Sequence, residues 1–349
     1  MLRLRSSIAV LLFSFLSIAS FGQKPGDAFN VDAREYLGTP QSEAAMNRGL
    51  EFLAKQQLSD GHWNSGNYQA DSAVSGLCTL AFLSAGHQPG RGKYGALLDR
   101  ASDYLTDSVQ RNGLIGRPGS GNAGPPMYGH GFATLALAEI YGMTKRPDLR
   151  GKLESAVQLI LSAQNPEGGW RYRPDATDAD ISVTAVQVLA LRAAHNAGIK
   201  VPEETVRKAL GYIKRCQNNS DGGFSYQAAT RGSGPARTGA GVTCLMISGE
   251  RNSRECKAGV QYLVEHPLET YEWAYRQHEF YAYYYCTQAY YQVGGSPWKT
   301  WFVNLRERLI SKQSRFDGSW IDSPGKEYAT AMAVLALQVP AGLLPIYQK

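Results

Sequence analysis

Two kinds of apolar pattern alternate along the chain. In the first, apolar residues recur every three or four positions and leave one side polar. Leu153, Val157, Ile160 and Leu161 share one face of such a helix, while Lys152, Glu154 and Gln158 take the other. In the second, the run is apolar nearly all round and rich in Ala, Gly, Thr and Leu, as over 72–85, 129–141, 182–194, 238–248 and 329–338. A helix without a polar face has to be covered on every side, so the pattern predicts half-exposed outer helices alternating with buried inner ones. No stretch shows sustained alternation of period two, which points to an all-α fold.

The two helix types are joined by a recurring turn: Gln57-Leu-Ser-Asp-Gly-His-Trp63, Gln164-Asn-Pro-Glu-Gly-Gly-Trp170, Gln217-Asn-Asn-Ser-Asp-Gly-Gly-Phe224 and Gln313-Ser-Arg-Phe-Asp-Gly-Ser-Trp320. A degenerate copy, Gln110-Arg-Asn-Gly-Leu114, lies between the first two. The leading glutamines are then spaced by 53, 54, 53 and 96 residues, and the last interval has room for one more unit. Six units follow. The Gly of each turn accepts the left-handed backbone that stops the outer helix, the aromatic can pack over the helix ends, and the Gln amide can satisfy carbonyls left free at the helix terminus. Six helical hairpins of this kind predict an α/α toroid over residues 43–340, preceded by an extension over 23–42 and followed by a tail over 341–349.

Residues 1–22 read as a secretory signal, with Arg3 and Arg5 ahead of a short apolar run from Ile8 to Ile18 and small residues before a cut at Gln23. The protein is therefore expected to be exported, to a periplasmic or extracellular and envelope-associated location. The formal net charge of +6 falls to about +4 once the two signal arginines are set aside. It is spread without a basic run, so nucleic acid is not an expected partner. The five cysteines are too few and too scattered for a disulfide framework and read as packing residues, with room for one bridge.

The Gln, Gly and aromatic turns resemble the QW-type repeat of the terpenoid cyclase and protein prenyltransferase superfamily, also called prenyltransferase/squalene oxidase repeats. The resemblance spans roughly Ala44 to Pro340. It implies inner helices around a central cavity that holds an isoprenoid chain in the superfamily's enzymes. Squalene-type cyclases carry two toroids and the prenyltransferases pair one with a second subunit, whereas this sequence has a single toroid.

The residues meet that chemistry only in part. The cyclase acid motif is Asp-x-Asp-Asp, and its nearest match is Asp178-Ala179-Asp180-Ile181, ahead of the third inner helix. Asp178 and Asp180 are the candidate catalytic pair, since two close carboxylates push one pKa up toward that of a useful proton donor. Asp180 reads equally as an N-cap bonded to the amides of Ser182 or Val183, with Asp71 in a similar place before the first inner helix. Zinc-dependent prenyl transfer needs an Asp-x-Cys pair that the sequence lacks, and the six histidines show no paired ligand spacing, so neither a metal nor any other cofactor is expected. The thioester motif Gly-Cys-Gly-Glu-Gln is missing too. Gly119-Ser-Gly-Asn-Ala-Gly124 matches a dinucleotide fingerprint by letter but follows no strand and runs into Pro125, and is read as a loop.

The most unusual stretch runs from Tyr271 to Tyr291 and holds ten aromatic residues with Arg276, His278 and Glu279 among them. Placed on a helix, Gln277, Tyr281, Tyr284, Gln288 and Tyr291 share a face. Trp273, His278, Tyr281, Tyr284 and Tyr285 are the candidate ligand-binding residues: ring faces can stabilise a cation, stack on sugars or line an apolar cavity. The same tyrosines serve equally as core with satisfied hydroxyls.

Three functions remain open at this point. One is a cyclase-like protein that binds an apolar or isoprenoid small molecule in the toroid. Another is a non-catalytic exported scaffold for an envelope protein or a membrane surface. A third is a glycan-active enzyme, because α/α toroids also host paired carboxylates acting on sugars.

Overall fold

The computed structural model describes residues 37–117, 124–267 and 278–348. The readings made for residues 1–22, for 23–36 and for Trp273 lie outside these. Twelve α-helices alternate in character among the described residues. The outer set is α1 (Pro40–Gln56), α3 (Gly95–Asp107), α5 (Pro147–Ser162), α7 (Glu203–Arg215), α9 (Arg254–Glu265) and α11 (Gly295–Lys312). The inner set is α2 (Ser72–Ser84), α4 (Pro126–Thr144), α6 (Ile181–Asn196), α8 (Pro235–Ile247), α10 (Glu279–Val293) and α12 (Lys326–Gln338). The wide interval after Gln217 holds the pair α9 and α10, as its length predicts.

Each inner helix packs on the next, from α2 through α4, α6, α8 and α10 to α12, and α12 packs back on α2. The ring is closed. The outer helices sit in the grooves between neighbouring inner helices, and α1, the first in the chain, rests on α12, the last. Burial follows this layout: nearly every residue of α2, α4 and α6 is buried, whereas α7 buries Val206, Ala209, Leu210 and Ile213 and exposes its charges. Close approach of the inner helices relies on small residues. A Cβ at Gly239 of α8 would stand 2.9 Å from the backbone nitrogen of Cys286 in α10.

The turns explain the repeat. In the third unit the Trp170 indole is buried and donates to the carbonyl of Ile160 at 2.8 Å, closing the last turn of the outer helix it follows. Trp63 does the same to Leu53 and Trp320 to Leu309, both at 2.7 Å. The glutamine acts otherwise than the spacing suggested. Gln164 Nε2 donates to Gly168 O within its own turn and to Thr205 O at the start of the next outer helix. Gln57, Gln217 and Gln313 repeat the pattern with Leu97, Glu255 and Ala45 as distant partners. The amide therefore fastens each turn to the following hairpin rather than finishing its own helix, and the Gln313 to Ala45 bond fastens the sixth unit to the first. Gly168, at φ +87°, fits because a Cβ there would lie 2.6 Å from Lys208 O. The five cysteines are all buried. No helix among the described residues is long and apolar enough to cross a membrane.

Candidate ligand site at the amino-terminal mouth of the ring

All the Gln-led turns emerge where the inner helices begin, so the amino ends of α2, α4, α6, α8, α10 and α12 ring one mouth of the toroid. Three of these helices carry Tyr as their third residue: Tyr128 in α4, Tyr281 in α10 and Tyr328 in α12. Tyr128 and Tyr281 both turn their hydroxyls toward the side chain of Ser182 in α6. Tyr328 lies within electrostatic reach of Tyr281, Tyr68 and Asp322. Burial pushes the phenol pKa of all three tyrosines up, yet each keeps some accessible surface. Side chains that are enclosed and still accessible face a hollow.

The floor of the hollow is aromatic. The Tyr285 ring lies 4.7 Å from Tyr281 and 4.9 Å from Tyr284, and Phe132 of α4 stands 6.3 Å from Tyr284, centroid to centroid. Among the described residues, the buried hydroxyls of Tyr281 and Tyr285 have no partner at ordinary hydrogen-bond geometry. An unmet buried donor costs about 1–3 kcal/mol, so a polar atom from a bound molecule would relieve it.

Asp180 stands at the rim. It is fully buried and caps α6, with Oδ1 accepting from the amides of Ser182 and Val183 at 2.9 Å each. Its other oxygen faces the Tyr226 hydroxyl and the guanidinium of Arg171, 3.5 Å away. Burial raises the Asp180 pKa to about 6, against the pull of these amides and of Arg171. Asp178 is half exposed, accepts from Gln227 Nε2 at 3.1 Å and lies 3.5 Å from Arg171 Nε. Repulsion from Asp178 is not what raises Asp180: Arg171 stands between the two carboxylates, and loss of water does the work. Asp71 repeats the cap on α2, with Oδ1 accepting from Ala73 and Val74 and Oδ2 from the Gly124 amide at 2.9 Å. Arg171 itself lies over the rings of Tyr172 and Tyr226, at 4.7 Å and 5.3 Å.

The candidate tyrosines divide between two ends. Tyr281 keeps accessible surface at the amino mouth, and Tyr285 is fully buried behind it. Tyr284 sends its hydroxyl the other way, to Tyr347 and Gln288 near the carboxyl mouth. His278 is exposed one residue ahead of α10, near Asp322. Tyr128, Tyr328, Tyr68 and Arg171 were not singled out from sequence, although Tyr as third residue of three inner helices is a signal readable once the helices are aligned. Among the described residues no group of three His, Cys, Asp or Glu side chains could hold a metal ion.

Residues 133–294 match the family model of the squalene-hopene cyclase C-terminal domain. Over these residues the chain is similar to the terpenoid cyclases. No curated protein matches it in sequence. Among solved structures, the type II terpene cyclase MstE from Scytonema in its apo form superposes with a TM-score of 0.62 at 14% identity, covering 87% of this chain and 99% of that one. A protein from Actinoplanes gives a TM-score of 0.62 at 18% identity, covering 86% and 99%. An inactive variant of an alpha-1,6-mannanase from Salegentibacter, bound to alpha-1,6-mannotriose, also reaches 0.62 at 9% identity, covering 87% and 99%. At these identities the structural likeness speaks for the toroid fold and leaves the activity to the site.

Proposed function

We propose that the protein binds an apolar, isoprenoid-type small molecule in the tyrosine-lined hollow at the amino-terminal mouth, and that it does so without acting as a proton-initiated cyclase. The observation that carries the reading is the pair of buried hydroxyls, Tyr281 and Tyr285, that lack a hydrogen bond of ordinary geometry among the described residues, under a rim of Tyr128 and Tyr328. The family match supports the ligand class, as do variants of the Scytonema cyclase that hold geranylgeranyl dihydroxybenzoate or merosterolic acid A. Asp180 argues against acid catalysis, because both of its oxygens are already engaged and Ile181 fills the place of the motif's last carboxylate. Titration with geranylgeraniol, followed by intrinsic fluorescence, tests the proposal. Saturable binding that a Tyr128→Trp variant loses supports it; no binding to the wild type overturns it. Conversion of a polyprenyl substrate that stops in Asp180→Asn would restore the acid role.

The reading includes export and contact with an envelope membrane. Residues 1–22 support the first. The second draws on the mouth itself, whose turns expose Phe316 completely and Ile321 by 68%. The aligned positions of the third and fourth turns hold Pro166 and Ser220, and Arg171 and Ser225. Apolar side chains presented beside a ligand hollow suit a lipid surface from which an apolar ligand enters.

A further inference from the structure

The opposite mouth of the ring is filled by the chain itself. After α12 come two short 3-10 turns, Val339–Ala341 and Pro345–Tyr347, and the segment crosses the carboxyl ends of the inner helices. Leu343 reaches Gly86 behind α2, Ile346 donates its amide to Glu139 Oε1 of α4 at 3.3 Å, and Pro345–Tyr347 packs on α6. Ile346 and Tyr347 also lie beside Thr243 and Ile247 of α8 and Gln288, Tyr291 and Gln292 of α10. The Tyr347 hydroxyl meets that of Tyr284. Leu344, Ile346 and Tyr347 are therefore all buried, although they belong to no helix of the ring.

A segment that lies across α4, α6, α8 and α10, and is anchored by one amide on one carboxyl group, has the character of a bound ligand. We propose that the carboxyl mouth is a peptide-binding site, occupied reversibly by Leu344–Tyr347, in which Glu139 reads the amide of Ile346. The apolar side chains supply most of the affinity and Tyr347 supplies the register through Tyr284.

The same contact makes occupancy sensitive to pH. Burial pushes the Glu139 carboxyl up to about 8, with the Ile346 amide pulling the other way. The titratable groups facing it are Tyr284 from α10 and Tyr347 from the segment, and among the described residues no charged side chain from α2, α6, α8 or α12 acts on it. When the segment leaves, water reaches Glu139 and its pKa falls toward the ordinary carboxylate range. Docking thus takes up a proton, and release grows as pH rises toward about 8, by up to tenfold per pH unit.

The test uses a chain ending at Ala341 together with a synthetic peptide of residues 343–349. The expected result is binding in trans that weakens at least about tenfold between pH 6 and pH 9, is lost with a Tyr347→Ala peptide, and becomes independent of pH with Glu139→Gln. A folded truncated chain that ignores the peptide, or pH dependence that survives Glu139→Gln, overturns the proposal. If truncation unfolds the protein, carboxypeptidase digestion of the full chain gives the answer. Faster trimming at the higher pH in wild type, but not in Glu139→Gln, is expected; equal protection at both pH values is the contrary result.

Discussion

Trp170 donates its indole N–H to the carbonyl of Ile160, 2.8 Å away, and its backbone N–H to the hydroxyl oxygen of Thr184 at 3.1 Å. One residue thus joins the end of an outer helix to the first turn of the inner helix that follows. Phe224 with Thr238 and Trp320 with Thr330 repeat the second contact at 2.9 Å and 3.0 Å. Removing the ring leaves a large void at a fully buried site, so Trp170→Ala is expected to cost about 3–5 kcal/mol. Trp170→Phe keeps most of the packing but loses the donor to Ile160, which costs less, on the order of 1–3 kcal/mol. Urea unfolding of the two variants checks the order.

The turn glycines give a sharper comparison. Gly168 has φ +87° and a Cβ there would meet Lys208 O at 2.6 Å, whereas Gly151 lies in exposed α5 with nothing within 4 Å of a built Cβ. Gly151→Ala is expected to stabilise by roughly 0.5–1 kcal/mol through helix propensity. Gly168→Ala should destabilise by more than that, since it combines a disfavoured backbone with a clash. Opposite shifts in melting temperature are the expected outcome.

How much of this was legible beforehand depends on how far apart the partners lie in sequence. The six hairpins were readable because the Gln, Gly and aromatic turn recurs locally and an all-round apolar helix declares its own burial. Asp180 as a cap was readable for the same reason, being two and three residues from the amides it binds. The hollow was not: Tyr68, Tyr128, Tyr281 and Tyr328 come together only when the ring closes, and no local spacing marks their convergence. Glu139 was hidden for the converse reason. It looks like an ordinary charge in an apolar helix until Ile346, far along the chain, covers it.

Asp180 makes a pH prediction. Its carboxyl ionises at about 6 in the folded protein, above the unfolded value near 3.9, so the folded state holds the proton more tightly. The stability this contributes is present below the unfolded pKa and is lost as pH rises through about 6, amounting to about 3 kcal/mol. Asn accepts the same two amides without ionising, so Asp180→Asn should keep the cap and remove that slope, while Asp180→Ala should cost about 1–2 kcal/mol by loss of the cap. Chemical unfolding at a series of pH values between about 4 and 7 separates the three chains.

The sixth turn offers a prediction that stability cannot mimic. Phe316 is fully exposed and makes no contribution to the core, and the fourth turn carries Ser220 at the aligned position. Phe316→Ser should therefore change the unfolding free energy by no more than about 0.5 kcal/mol. If the mouth of the ring rests on lipid, the same change removes an aromatic anchor flanked by Arg315, and Ile321→Asn removes a second apolar side chain from the same turn. Co-sedimentation with phosphatidylcholine and phosphatidylglycerol vesicles should then fall for each variant and further for both together, and added salt should weaken the phosphatidylglycerol arm more, because only there does the arginine meet a net negative surface. Vesicle binding that is equal in wild type and double variant would place the contact elsewhere and leave Phe316 without a lipid role. A loss of binding that comes with an unchanged melting temperature ties it to the surface of this turn, since the hollow lined by Tyr128, Tyr281 and Tyr328 is untouched by either substitution.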